Sequence, residues 1–114
     1  MTDTQSKSTR TLVVYAHPYT GSFNHAVLEA ATTALDRASR PYDVIDLHAD
    51  GFDPRYTTEE LALFGRGETL DPLVTRYQEL IEGAGRLVII APIWWNELPG
   101  MLKGFIDKVM KQKW

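Results

Sequence analysis

The first apolar segment of the sequence is Thr11-Leu12-Val13-Val14-Tyr15-Ala16. It is a short, nearly continuous apolar run rich in β-branched residues, which is typical of a strand covered on both faces in a parallel sheet. A turn-like stretch from His17 to Ser22 follows it, and a helical pattern then runs from Phe23 to Arg37. The order strand, turn, helix predicts the first unit of an α/β fold.

The apolar residues of this first helix recur at three- and four-residue spacing, so that they fall on one stripe. The stripe consists of Phe23, Val27, Ala30, Ala31, Ala34 and Leu35. Arg40-Pro41 then ends the helical pattern, because proline breaks a helix.

Two more strands and three more helices are predicted further along the chain. They are a strand at 42–47, a short helix at 57–64, a helix at 72–83, a strand at 86–91 and a last helix that Pro99 or Gly100 opens. Thr57 and Glu60 have the spacing of a capping box, and Asp71 precedes a proline at the first helical position. The strand at 86–91 has the clearest pattern of a buried strand in the sequence.

Both longer helices of this second part carry an apolar stripe. The stripes are Leu73, Val74, Tyr77, Leu80 and Ile81 in one helix and Met101, Leu102, Phe105, Ile106 and Val109 in the other. Strands that alternate with helices imply right-handed crossovers and a parallel sheet with helices on both faces. The sequence contains only the first three strands of such a sheet. Residues 1–10 predict a disordered lead-in, and residues 11–114 predict one incomplete domain.

Composition restricts the functions open to the chain. It has 114 residues, a net charge of −3 and no cysteine. The acidic balance argues against nucleic acid as a partner, and the absence of cysteine excludes disulfides, thiolate nucleophiles and cysteine metal sites. No apolar run is long enough to span a membrane, and the polar start lacks the apolar stretch of a signal peptide. We therefore expect a cytoplasmic protein.

Two loops lie where ligands bind in an open parallel sheet, at the carboxyl ends of the strands. The loop from His17 to Asn24 enters a helix, where free amides and the macrodipole favour a phosphate. Ser22 is placed to cap that helix or to donate to a phosphate oxygen. A plain strand–turn–helix connection explains the same residues equally well, and the motifs of a Rossmann dinucleotide loop and a P-loop are both absent.

The second loop, from Pro92 to Leu98, contains the adjacent pair Trp94 and Trp95. Two large aromatic side chains are costly to expose, so they either cover the core or face a flat aromatic ligand. Taken alone, the pair slightly favours core cover. Together, a loop suited to a phosphate and a loop suited to a planar ring at one sheet edge favour a ligand that has both groups.

These loops resemble those of a known family. His17-Pro18 with Ser22-Phe23-Asn24 is similar to the phosphate loop of the flavodoxin-like NAD(P)H quinone reductases, also called DT-diaphorase-like. The stretch from Pro92 to Trp95, then from Leu98 to Val109, is similar to their second motif, which runs P-x-W-W and then x-P-x-x-L-K-G-W/F-x-D-R/K-V. The resemblance covers nearly the whole chain from Thr11 onward and implies a flavodoxin-like fold.

The resemblance also implies a flavin, FAD or FMN, with NAD(P)H as electron donor and a quinone or similar small molecule as acceptor. The implied phosphate contacts are His17, Ser22, Phe23 and Asn24, and the implied ring contacts are Ile93, Trp94, Trp95 and Asn96, with Pro92 in the same site. The chain departs from the family at Asn96-Glu97. The two strands that carry the family's residues for hydride transfer are missing, so no catalytic side chain is assigned.

Three alternatives remain beside this interpretation. The acidic residues from Asp43 to Asp53, with His48, are crowded enough for a divalent-metal site, although a solvated acidic loop is favoured. A Ser-His-acid hydrolase is disfavoured because the G-x-S-x-G elbow is absent. The chain could instead be a truncated or split member that acts as a flavin-binding or interaction module without turnover. Its uncovered sheet edge and the family resemblance both predict a homodimer.

Overall fold

A computed structural model of the chain describes residues 9–93 and 99–110. Three parallel strands are joined by four helices within these ranges. In chain order they are β1 Thr11–Tyr15, α1 Phe23–Arg37, β2 Tyr42–Asp46, α2 Thr58–Phe64, α3 Pro72–Glu82, β3 Arg86–Ile90 and α4 Gly100–Val109. The predicted α/β class, the parallel sheet and the order of the elements are confirmed.

The sheet has the order β2-β1-β3, so the first strand lies in the middle. Tyr15 at the end of β1 is in register with Asp46 of β2 and with Ile90 of β3. All three strands therefore end at the same edge of the sheet. Every residue of β1 is buried, as its continuous apolar pattern predicts for a central strand.

The face of the sheet that α3 and α4 cover holds the larger core. Leu12 and Val14 of β1 pack there against Val74 and Tyr77 of α3 and Phe105 of α4, all with 1% or less of their surface exposed. The predicted stripes of α3 and α4 are confirmed, because their members either are buried in this core or pack against it. We call this side of the sheet the α3–α4 face.

The opposite side, the α1 face, holds a much smaller core. Val13, Tyr15 and Ile90 are buried there against Leu28, Ala31 and Leu35 of α1. The predicted stripe of α1 is wrong in part, since Phe23 is 80% exposed, Val27 is 36% exposed, and Ala30 and Ala34 are exposed. Apolar residues span a wide arc of α1, so their spacing alone does not fix which part of the arc contacts the sheet.

The prediction that β3 is a fully buried strand is also wrong. Leu87 is 38% exposed and Ile89 is 43% exposed, although their register neighbours on β1, Leu12 and Val14, are fully buried. β3 is an edge strand in the described sheet, and the described residues leave both of these side chains partly uncovered. A continuous apolar pattern indicates that both faces need cover, but it does not show that cover is present.

Local capping signals were predicted more accurately than burial. Ser22, Thr57 and Asp71 accept hydrogen bonds from the amides of His25, Glu60 and Leu73, and so cap α1, α2 and α3. The second half of a capping box would direct the Glu60 carboxylate to Thr57. That carboxylate accepts from the Thr69 hydroxyl at 2.8 Å and from the Leu70 amide at 2.6 Å, so Glu60 holds the link between α2 and α3.

Candidate functional site

The loop after β1 is folded by hydrogen bonds between its own residues. The Tyr19 amide donates to Nδ1 of His17 at 3.1 Å, and the Ser22 amide donates to the Tyr19 carbonyl at 3.2 Å. The Tyr19 ring lies over Gly21, where an added Cβ would be 2.6 Å from Cζ of the ring. A larger residue at this position would displace the exposed Tyr19 ring from the turn.

Ser22 joins this loop to α1. Its hydroxyl oxygen accepts from the His25 amide at 3.0 Å, and its carbonyl accepts from the Ala26 amide at 3.3 Å. The amides of Phe23 and Asn24 have no backbone or side-chain acceptor within residues 9–93 and 99–110. Two unpaired amides at the start of a 15-residue helix form a donor set suited to a phosphate, and the helix dipole adds to the attraction.

The predicted phosphate residues differ in what they present to this site. Nδ1 of His17 accepts a hydrogen bond, so in the neutral ring Nε2 carries the proton and is a donor. Phe23 offers its amide, while its side chain points into solvent with 80% exposure. Asn24 is partly buried. A phosphate at this place would thus meet mainly backbone donors.

The loop after β3 leaves the sheet beside the first loop. The Ala16 amide donates to the Ile90 carbonyl at 3.1 Å, which holds the ends of β1 and β3 together. Pro92 is partly buried and Ile93 is 63% exposed. The remaining predicted ring contacts, Trp94, Trp95 and Asn96, lie outside the described residues. α4 then begins at Gly100 without a side-chain cap.

Sequence reasoning missed one polar group close to this edge. Tyr15 is the last residue of β1, and its ring meets the His25 ring edge to face at a centroid distance of 6.0 Å. The Tyr15 hydroxyl is buried and has no hydrogen-bond partner in the part of the chain that the structure describes. An apolar run indicates that a tyrosine in it is buried, but not where its hydroxyl points. His25 itself is partly buried.

Three acidic residues at the end of β2 and in the loop after it each have a different partner. Asp46 accepts from the Ala49 amide at 3.1 Å, Asp50 accepts from the Tyr77 hydroxyl at 2.7 Å, and Asp53 is paired with Arg55 at 3.0 Å. Burial, followed by the hydrogen bond to Asp50, raises the pKa of Tyr77. Hydrogen bonds from Arg55 lower the pKa of Asp53 to about 2. No group of three metal-ligating side chains occurs within the described ranges.

A family model and curated proteins both match this chain. Residues 9–114 match a family described as having a flavodoxin-like fold. A curated relative, NAD(P)H dehydrogenase [quinone] 1 of Cavia porcellus, is 31% identical over 116 residues, which cover 88% of this chain and 42% of that protein. The chain spans about half the length of the curated relatives it matches.

Two solved structures resemble nearly the whole of this chain with about half of their own length. An NAD(P)H:quinone oxidoreductase from Methanothermobacter marburgensis has a TM-score of 0.85 and 34% identity, over 94% of this chain and 55% of that one. A general stress protein 14 from Treponema denticola, solved in complex with FMN, has a TM-score of 0.59 and 27% identity, over 92% of this chain and 50% of that one. Within residues 9–93 and 99–110, no helix is long and apolar enough to cross a membrane.

Proposed function

This chain belongs to the flavodoxin-like fold family of NAD(P)H quinone oxidoreductases, and on that premise we propose that it binds a flavin and serves in electron transfer from NAD(P)H to a quinone. The observation that carries the proposal is the donor set at the start of α1. The amides of Phe23 and Asn24, which have no acceptor among the described residues, follow Ser22 at the start of the helix that the loop after β1 enters.

We assign the phosphate of FMN or FAD to these donors. The amides of Phe23 and Asn24 and Nε2 of His17 would donate to its oxygens. The family resemblance assigns the isoalloxazine ring to the loop after β3, with Pro92 and Ile93 at its start and Trp94, Trp95 and Asn96 beyond the described part. Among the relatives, a complex with FMN is known for the Treponema denticola protein.

A bound flavin supplies the redox chemistry, in which NAD(P)H and a proton reduce a quinone to a hydroquinone and leave NAD(P)⁺. The chain's own described residues bind and orient. The amides of Phe23 and Asn24 would hold the phosphate of the flavin. Ile93, with 63% of its surface exposed, has apolar surface available to a flat ligand.

The visible spectrum tests flavin binding directly. Purified protein is incubated with excess FMN or FAD and desalted, and flavin bands near one equivalent are expected. Ser22→Asp is the decisive variant, because aspartate caps a helix as well as serine does but places a negative charge against the phosphate. Thr57→Asp makes the same change at the cap of α2 and should leave flavin retention unchanged. Equal retention by all three proteins would refute the proposed phosphate site.

A second candidate function is flavin binding without turnover. The chain spans 42% of one curated relative and 55% of a solved one, so the activity of a whole relative needs its own test on this chain. Oxidation of NADH or NADPH by the flavin-loaded protein in the presence of a quinone separates the two. Turnover supports the oxidoreductase, while a retained flavin without NAD(P)H oxidation supports a binding module.

Two further expectations stay predictions. The homodimer is to be checked by light scattering of the purified chain, and the cytoplasmic location by fractionation of the source cells.

A further inference from the structure

The segment between α2 and α3, residues 65–71, lies on the surface of the chain. Each of its residues is exposed or only partly buried, and 65% of the Leu70 surface is exposed. Backbone hydrogen bonds from residues 66–68 return to the end of α2. Residues 69–71 are joined to α2 through the side chain of Glu60 instead. We call residues 65–71 the α2–α3 link.

One buried carboxylate holds the second part of this link. Glu60 is 4% exposed, and its two oxygens accept from the Thr69 hydroxyl at 2.8 and 3.0 Å and from the Leu70 amide at 2.6 Å. The Thr69 oxygen in turn accepts from the Asp71 amide at 3.1 Å. Hydrogen bonds to an ionised acceptor are roughly twice as strong as those to a neutral one. The charge of Glu60 therefore supports the link as far as Asp71, the residue that caps α3.

The link borders a cleft of about 320 Å³ that contains charges of both signs. Lys108 of α4 is 3% exposed in it, and its Nζ donates to the Asp53 carbonyl at 2.8 Å and lies 3.9 Å from the Asp71 carboxylate. Leu70 and Asp71 form the wall of the cleft on the side of the link. Detachment of the link would therefore open the cleft on that side.

Several other ionisable groups surround Glu60 and the link. The charged groups that line the cleft beside Glu60 are Asp53 from the loop after β2, Glu59 from α2, Asp71 from the link and Lys108 from α4. Burial, followed by the charges of Asp107 and Glu60, raises the pKa of Tyr56. Arg66 and Glu68 of the link form an ion pair at 3.8 Å. Among the carboxylates that line the cleft or lie on the link, Glu60 is the one that is buried.

We propose that Glu60 is a pH-sensitive latch, whose ionised carboxylate holds the α2–α3 link against the cleft and which releases the link when it takes up a proton. A protonated carboxyl carries a hydrogen on one oxygen, so it holds the Thr69 hydroxyl and the Leu70 amide less strongly. The link is therefore fixed at neutral pH and loosens as the pH falls. None of these residues belongs to the candidate phosphate site, so the latch and flavin binding are tested separately.

Hydrogen exchange of the Leu70 and Asp71 amides, followed by NMR, measures the latch directly. Glu60→Gln keeps the size of the side chain and removes its charge, so it imitates the protonated state at neutral pH. We expect the protection of both amides to fall at least about fivefold relative to that of the Val13 amide in the central strand. In wild type, the same relative protection should fall as the pH is lowered towards about 4, where carboxylates take up protons.

Glu59→Gln is the matched control. Glu59 also stands in the first turn of α2 and lines the cleft, but its side chain is exposed. The variant removes the same charge from helix and cleft, and it should leave the protection of Leu70 and Asp71 unchanged.

Three outcomes would overturn the latch. The first is equal protection in Glu60→Gln and wild type at neutral pH, and the second is an equal loss in both glutamine variants. The third is a pH dependence in Glu60→Gln that matches that of wild type, which would assign the titration to another group. The Val13 amide separates local release of the link from general destabilisation, because only the latter lowers its protection as well.

Discussion

The two faces of the sheet differ in how completely they are packed. On the α3–α4 face, residues from β1, β2, α3 and α4 form one core that includes the aromatic rings of Phe52, Tyr77 and Phe105. On the α1 face, the described part of the chain has a small buried cluster of Val13, Tyr15 and Ile90, and α1 itself has no buried residue. The candidate phosphate site lies at the start of α1, so the proposed binding function belongs to the less packed face.

We infer that the α3–α4 face contributes most of the stability, while the proposed binding function lies on the α1 face. Hydrophobic burial is the main stabilising term, so most of the folding free energy should reside in the α3–α4 face. Substitutions on the two faces test this difference in stability.

The largest effect is expected from truncating the core of the α3–α4 face. Phe105 is fully buried between Phe52 and Tyr77, so Phe105→Ala should lower the free energy of unfolding by about 3–5 kcal/mol. Leu28→Ala on the α1 face should cost less, because Leu28 is only partly buried. Urea unfolding followed by circular dichroism measures both. Equal losses would contradict the comparison.

The next prediction concerns Gly104 of α4, which lies close to the backbone of Pro54. A Cβ added at Gly104 of α4 would lie 2.6 Å from Cα of Pro54 and 2.7 Å from its carbonyl oxygen. Gly104→Ala should therefore destabilise the chain by about 1–3 kcal/mol, since backbone must move to make room. Gly65→Ala, which meets nothing within 4 Å, is the control and should not destabilise. A stable Gly104→Ala protein would show that Pro54 can move aside at little cost.

The next prediction compares two buried tyrosines, one whose hydroxyl is hydrogen-bonded and one whose hydroxyl has no partner among the described residues. The Tyr77 hydroxyl donates to Asp50 at 2.7 Å, so Tyr77→Phe should cost about 1.5–3 kcal/mol of unfolding free energy. The Tyr15 hydroxyl has no partner among the described residues, so Tyr15→Phe should be neutral or stabilise by up to about 1 kcal/mol. Thermal denaturation of the two variants compares them, and a loss at Tyr15 would show that its hydroxyl is bonded in solution.

The smallest effect concerns pH. Hydrogen bonds from Arg55 lower the pKa of Asp53 from its ordinary 3.8 to about 2 in the folded chain. A lowered folded pKa means that the stabilisation is present above pH of about 4 and is lost as the pH falls towards 2. The urea midpoint of wild type should thus fall more steeply over this window than that of Asp53→Asn. Parallel curves would show that the pair contributes nothing.

The sequence predicts the helices and strands because their signals are local. It does not predict which side chains are covered by other parts of the fold. The bounds of α1 and the caps Ser22, Thr57 and Asp71 follow from residues within one turn of each other, and the structure agrees. The exposure of Phe23 and Ile89 depends on what packs from elsewhere in the fold, which spacing does not encode. For the same reason the cap in the candidate site was predictable, but the orphaned hydroxyl of Tyr15 was not.

The central claim is that the N-terminus of α1 holds the phosphate of a flavin. Titration of the chain with FMN and with riboflavin, followed by flavin fluorescence, tests it most directly because the two ligands differ only in that phosphate. We expect FMN to bind wild type at least about tenfold more tightly than riboflavin, and this preference to disappear in Ser22→Asp. Equal affinities in wild type, or an unchanged preference in Ser22→Asp, would contradict the claim.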